Sequence, residues 1–258
     1  MINLMKKNYL VGDIGNTLVK ISLLNNSFKI TQSFTIETKK IYYSKERNNF
    51  FKQILTKNLN KNVLFSSVVP LVFKNIKKDL KKSNFKLYEI KDLKIKKLLR
   101  FKIDNLKQVG SDRIANSIGA HSIYKKNCLV IDFGTATTFD IIKKEGIYDG
   151  GVIAPGVKLS ISNLNKFTAE LPVLNLKNKS RAYGKNTIDA LNAGFLWGYQ
   201  GLINNIIDKI YSSGIKNYTI ILTGGYANFF KKFLKKKSVI DENITIKGII
   251  KIYKELLI

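Results

Sequence analysis

Apolar and polar positions along this chain form short continuous runs, and two of the runs repeat. Leu10-Val11-Gly12-Asp13-Ile14-Gly15-Asn16-Thr17 is echoed 119 residues later by Leu129-Val130-Ile131-Asp132-Phe133-Gly134-Thr135-Ala136, with Leu, Val, Asp and Gly in register. Each copy is an apolar strand that stops at Asp-x-Gly, then hydroxyl or amide residues, then a second strand: Leu18 to Leu24 and Thr137 to Ile142. The pattern predicts a β-hairpin in each half and two related lobes. The turn glycine allows a tight bend and a close approach of backbone N–H groups to an anion. Two such hairpins facing each other would grip a polyphosphate from both sides.

Between the hairpins, strand and helix patterns alternate, as a layered α/β fold requires. Val63 to Val68 reads as a buried strand, Leu71 to Lys82 as an amphipathic helix with Val72, Phe73, Ile76 and Leu80 inward, and Lys86 to Ile90 as a further strand. A helix opens near Ser111 and runs from Ile114 to Tyr124. Helical spacing runs from Thr187 to Tyr211 through Ile188, Leu191, Phe195, Leu196, Tyr199, Leu202, Ile203, Ile206 and Ile210, with Asn186 as its N-cap. Gly194, Gly198 and Gly201 lie within it, and glycine inside a helix costs stability unless something packs close. Tyr218 to Leu222 is a strand running into Thr223-Gly224-Gly225, and Ala227 to Lys237 is the next helix. No low-complexity linker intervenes; the boundary falls near residues 112 to 125, dividing the chain into lobes of 1–115 and 116–258.

Composition changes this picture little. With 258 residues, 45% hydrophobic, the chain can bury a core in two lobes. A lone cysteine, Cys128, and no Cys/His cluster point to a reducing compartment, the cytoplasm. Met1 to Lys7 lacks a signal-peptide core, and Cys128 to Ile142, the most apolar later stretch, is interrupted by Asp132 and Asp140, so no membrane span is expected. The formal charge of +27 resembles that of a nucleic-acid binder. Only four of the 45 basic residues are arginine, however (Arg47, Arg100, Arg113, Arg181), and base and phosphate recognition favours the arginine fork. The scattered lysines read as solvated surface, whose net charge still helps to attract anionic substrates.

Three clusters carry candidate chemistry. In Asp13-Ile14-Gly15-Asn16-Thr17-Leu18-Val19-Lys20 the turn offers donors to phosphate oxygens, Lys20 brings a point charge and Asp13 can hold a hydrated Mg²⁺; alone, this is also an ordinary hairpin with an Asx turn. Asp132-Phe133-Gly134-Thr135-Ala136-Thr137-Thr138 supplies hydroxyls instead, although threonines also favour strands for their own sake. Gly110-Ser111-Asp112-Arg113 sets an acid beside a scarce arginine at a helix N-terminus, which gathers unbonded N–H groups. Capping explains the acid but not the arginine. His121, Cys128 and Trp197 read as structural residues, Trp197 in core or interface packing.

Taken in order, these motifs resemble the type III pantothenate kinases, over nearly the whole chain. The resemblance rests on residues 13–17 with Lys20, Asp104-Asn105, Gly110-Ser111-Asp112-Arg113 with Asn116, and Asp132 to Asp140. It continues through Gly150-Gly151-Val152-Ile153-Ala154-Pro155-Gly156, Thr168-Ala169-Glu170-Leu171-Pro172, Gly184-Lys185-Asn186-Thr187 and Thr223-Gly224-Gly225. It implies two actin-like ATPase (ribonuclease H-like) lobes with ATP and Mg²⁺ between them, and phosphorylation of pantothenate to 4′-phosphopantothenate, the first step toward coenzyme A. It implies ATP contacts at Asp13, Ile14, Gly15, Asn16, Thr17, Leu18, Val19, Lys20 and Thr135, and a general base at Asp112. Pantothenate contacts follow at Gly110, Ser111, Asp112, Arg113 and Thr187, a K⁺ or NH₄⁺ ligand at Asp132, and a homodimer.

Two positions depart from the family pattern. Ile103 stands where many members have a tyrosine that contacts pantothenate, and Leu106 where they often have proline. Neither touches the phosphate machinery. The alternatives are a kinase of another small hydroxylated or carboxylate metabolite, and a catalytically silent regulatory or nucleic-acid-binding relative.

Overall fold

The computed structural model describes residues 8–55, 58–180, 183–214 and 217–258; Met1 to Lys7 and Arg181 lie outside the described residues. The chain forms two compact units, Met1–Ile123 with Asn243–Ile258, and Tyr124–Glu242.

The first unit contains β1 (Tyr9–Ile14), β2 (Leu18–Leu24), β3 (Ile30–Glu37), α1 (Thr38–Ile41), α2 (Ser44–Ile54), β4 (Asn62–Ser67), α3 (Pro70–Lys82), β5 (Lys86–Glu89), the two-residue β6 (Arg100–Phe101) and α4 (Ser111–Tyr124, whose last residue falls in the second unit). Five strands form a sheet in the order β3-β2-β1-β4-β5. β1 pairs antiparallel with β2, and β2 with β3, while β4 is parallel to both β1 and β5. Val72, Ile76 and Leu80 of α3 are buried as the helical period requires, against a core that includes Leu10, Val19, Ile21, Val63 and Phe65, with Phe73 only partly covered. Pro70 starts α3, where its missing N–H costs nothing.

In the second unit β7 (Cys128–Phe133), β8 (Ala136–Lys143) and β9 (Ile147–Pro155) lead to α5 (Val157–Lys166) and α6 (Thr187–Ser212), then β10 (Thr219–Gly224), α7 (Ala227–Lys231) and β11 (Ser238–Ile240). Its five strands lie in the order β11-β10-β7-β8-β9. β7 is antiparallel to β8 and β8 to β9, while β10 is parallel to β7 and to β11. Read from the hairpin outward, this is the first unit's topology strand for strand. The 119-residue echo therefore marks a repeat of the whole sheet.

The last helix, α8 (Ile244–Leu256), is counted with the first unit, whereas a division at 115/116 drawn along the chain would leave it with the second half. Its packing gives the reason. A methyl at Gly119 of α4 would lie 2.5 Å from the carbonyl of Ile244, and one at Gly248 would run into the Ala115 carbonyl, so the two helices touch backbone to backbone. Thr245 donates to the Asn116 side chain at 2.7 Å, and the Tyr253 hydroxyl donates to the Asn62 carbonyl at 2.7 Å.

One sequence expectation needs correction. The helix expected over Ala227 to Lys237 stops at Lys231 because the Asn204 side chain of α6 captures the following segment, donating to the Phe233 carbonyl and accepting from Lys235 N–H. Gly194, Gly198 and Gly201 of α6 face open space, and Trp197, read as a core or interface residue, is 44% exposed and so lies outside the core. The Asn186 cap is present: its side chain accepts from Asp189 N–H at 2.9 Å. Among the described residues no helix is long and apolar enough to cross a membrane.

Candidate functional site

The first hairpin turns at Gly15-Asn16-Thr17, where Gly15 N–H donates to the Leu18 carbonyl at 3.0 Å. Asn16, Thr17 and Lys20 are exposed and Asp13 is half-buried, whereas Ile14 and Val19 point into the core, so those two offer only backbone. Asp13 lies opposite Lys20 across the hairpin and beside Ser66 of β4, so an acid, an ammonium and a hydroxyl share one end of the sheet. In the second hairpin Asp132 lies opposite Thr138 and beside Thr223 of β10, repeating the acid and the hydroxyl with threonine in place of lysine. Thr135 is exposed, but Thr137 is fully buried and serves the strand.

The Asp132 carboxylate sits in a cradle that only glycine leaves open. A methyl at Gly224 would lie 2.6 Å from Asp132 Oδ1 and from the Phe133 carbonyl, and Gly224 has φ +84°, where side chains are disfavoured. A methyl at Gly156 would overlap the Thr135 and Gly134 carbonyls. A carboxylate at a glycine-lined strand end is an oxygen ligand of the kind a hard cation takes.

Asp112 lies in the first turn of α4. Its Oδ1 accepts from Arg113 N–H at 2.8 Å, and a methyl at Gly110 would run into that oxygen, so Gly110 is the space into which the carboxylate folds back. Burial pushes the Asp112 carboxyl above the usual aspartate range; the Arg113 N–H bond, the Arg113 charge and Lys91 pull the other way without cancelling it. A helix N-terminus favours the charged form of a nearby carboxylate, but here desolvation outweighs it.

Glu89, at the end of β5, is a member of this cluster that sequence reasoning missed. Its carboxylate accepts from Lys91 N–H at 2.6 Å and Ser67 N–H at 3.4 Å, tying the ends of β4 and β5 together. Ser111 is buried close enough to favour the charged form of Glu89, yet its hydroxyl falls short of a well-formed hydrogen bond; burial still raises the Glu89 carboxyl. A Tyr-Glu-Ile stretch at a strand end carries no pattern that separates this acid from a surface one. Gly110, Ser111, Asp112 and Arg113 thus share one turn, and Asp13 with residues 14–20 forms another in the same unit. Thr187 is exposed at the first position of α6 in the second unit, as is Thr135 in its turn.

A family model described as type III pantothenate kinase matches residues 9–209. The type III pantothenate kinase of Pelagibacter ubique (strain HTCC1062) is 45% identical over 247 residues, spanning 94% of this chain and 97% of its own. Among solved structures, a conserved Baf family protein from Campylobacter jejuni is similar with a TM-score of 0.59 at 23% identity, over 95% of this chain and 98% of its own. The activator of the 2-hydroxyisocaproyl-CoA dehydratase from Clostridium difficile, with bound ADPNP, is similar with a TM-score of 0.55 at 12% identity, over 96% and 95%. At such identities the structural likeness shows the fold alone: α/β, of the two-lobed actin-like ATPase and sugar-kinase type.

Proposed function

Because the chain belongs to the type III pantothenate kinase family, we propose that it transfers the γ-phosphoryl group of ATP to the hydroxyl of pantothenate, giving 4′-phosphopantothenate and ADP. The hydroxyl oxygen bonds to the γ-phosphorus, the bond from that phosphorus to the β-phosphate oxygen breaks, and the hydroxyl proton passes to Asp112. Phosphoryl transfer has a loose transition state, so the base chiefly orients the hydroxyl and takes a late proton. The observation that carries the reading is the Gly110 to Arg113 turn, where a carboxylate made more basic by burial sits beside an arginine suited to an anionic substrate.

The turn donors of residues 13–20, with Lys20 as a point charge, hold the phosphates, and Thr135 adds a further ATP contact. Mg²⁺ neutralises charge developing on the phosphates; Asp13 would hold it through water, since this ion keeps most of its ligands from water and phosphate. Asp132, in its glycine cradle, would hold the monovalent cation, K⁺ or NH₄⁺. Gly110, Ser111, Arg113 and Thr187 position pantothenate. The protein works in the cytoplasm as a homodimer: α6 presents the half-exposed Trp197 and the open glycines at 194, 198 and 201 on one face that a second copy would cover.

The test is a coupled ADP-release assay with pantothenate, run with and without K⁺ or NH₄⁺. Cation-dependent turnover on pantothenate supports the proposal. Turnover on a different hydroxylated metabolite alone would reassign the acceptor, and salt-sensitive DNA retention without ATP turnover would overturn the kinase reading.

A further inference from the structure

We propose that Thr38 is a positioning residue for the nucleotide, a clamp that holds the first phosphate turn in its binding shape; this rests on the reading of residues 13–20 as a phosphate loop. Sheet register brings it there. β3 pairs with β2 so that Glu37 lies opposite Leu18, and the chain then continues one residue past the ladder, level with the turn. Thr38 N–H donates to the Thr17 carbonyl at 2.9 Å, and its hydroxyl donates to the Gly15 carbonyl at 2.7 Å. Thr38 is 2% exposed, so the donor side of both bonds is shielded from competing water.

The consequence concerns which way the turn's peptide groups point. A turn binds an anion through N–H groups and hydroxyls, and its carbonyls must face elsewhere, because a carbonyl oxygen repels phosphate. With Gly15 N–H closing on Leu18, the carbonyls within the turn are those of residues 15, 16 and 17, and those of 15 and 17 face β3. Thr38 takes both from the β3 side. That leaves the exposed Asn16 and Thr17 directed to solvent, where the phosphates arrive. Val68 N–H donates to the Ile14 carbonyl at 3.0 Å and anchors the strand end just before the turn.

Removing the hydroxyl leaves the half-buried Gly15 carbonyl without its donor, so the peptide unit can turn over. The apparent affinity then falls by the fraction of time spent in the wrong shape. Thr38→Val keeps the shape of the side chain and lacks the donor; Thr38→Ser keeps the donor. Calorimetric titration with Mg-ADP is expected to show about a tenfold weaker Kd for Thr38→Val and a value within about twofold of wild type for Thr38→Ser. Steady-state kinetics are expected to show the same rise in KM for ATP with KM for pantothenate unchanged, a split that a merely structural role would not produce.

A wild-type chain that binds no Mg-ADP sinks the nucleotide reading and the clamp with it. Wild type that binds, with Thr38→Val binding equally well or Thr38→Ser failing to restore affinity, overturns the clamp alone. If Thr38→Val does not fold, Thr38→Ala carries the same comparison. Failure of both to fold, judged by circular dichroism, would show that Thr38 acts through the fold and overturn the proposal.

Discussion

In the first unit the Asp-x-Gly turn is gripped from the side, by a threonine just past the end of the neighbouring strand that bonds two of its carbonyls; in the second the equivalent turn is packed against glycines 156 and 224, which leave no room for a side chain against its backbone. The sheets around the turns have one topology, so the difference lies in the hardware. A side-chain clamp depends on one hydroxyl and tolerates bulk at the turn: a methyl at Gly15 would meet only the Leu18 carbonyl, at 3.2 Å. A backbone wedge depends on the absence of side chains and tolerates none. The acids differ in surroundings too, Asp13 facing a lysine and Asp132 a threonine. The first unit further adds Asp112, an acid lifted by burial. The two copies of one topology thus differ in their chemistry: the first sets an acid opposite a lysine, the second an acid opposite a threonine and packed against Gly224.

The largest effect is expected at the acid that only the first unit carries. Asp112→Asn is expected to lower kcat by about 10³-fold while ADP still binds. Its burial makes a second, opposite forecast. A carboxyl whose folded pKa lies above the unfolded value opposes folding once ionised, so the Asn variant is expected to melt about 2–4 °C higher at pH 7. That gain should shrink as pH falls through the raised pKa and vanish below the ordinary aspartate value of about 4, where wild-type Asp112 is protonated in both states. In the wild type, kcat/KM is expected to fall on the acid side at a higher pH than an ordinary aspartate would give. An acid limb in the usual aspartate range would refute the role of desolvation.

Next in size is the wedge. Gly156→Ala is expected to raise KM for ATP by at least about tenfold and to lower the melting temperature by several degrees, as overpacking by about 1–3 kcal/mol implies. Smaller still is the charge contrast between the hairpins. Lys20→Met is expected to weaken Mg-ADP binding about tenfold or more, and Thr138→Val only about threefold, since charge-assisted bonds are roughly twice as strong as neutral ones. Equal losses in titration calorimetry would erase the contrast. The smallest effect belongs to Gly15→Ala, expected to shift the melting temperature by no more than about 2 °C. A drop as large as that of Gly156→Ala would remove the distinction between clamp and wedge.

Both hairpins, α3, the span of α6 and its Asn186 cap were legible along the chain, because each rests on neighbours within a few residues: an apolar run ending in Asp-x-Gly, a 3.6-residue period, an amide three residues before the N–H it accepts. The helix after Ala227 was read too long for the converse reason. Its apolar spacing continues to Leu234, but Asn204, some 30 residues earlier, takes over its hydrogen bonds.

In the candidate site the acids and the turn glycines could be read off as types in order. Thr38 and Glu89 could not, since a threonine after a strand and a glutamate ending one are common and no local pattern marks them.

The sequence by itself determined that the chain carries two Asp-x-Gly hairpins, an acid beside an arginine at a helix start, and the motif order of one kinase family. These are statements about neighbours, and covalent spacing settles them. Only the tertiary structure decided that α8 returns to pack on α4, that Glu37 pairs with Leu18 and so delivers Thr38 to the turn, and that Gly110 and Gly224 are the gaps occupied by carboxylates. Those facts depend on strand register and on close approach between segments far apart in the chain, which no local run of residues encodes.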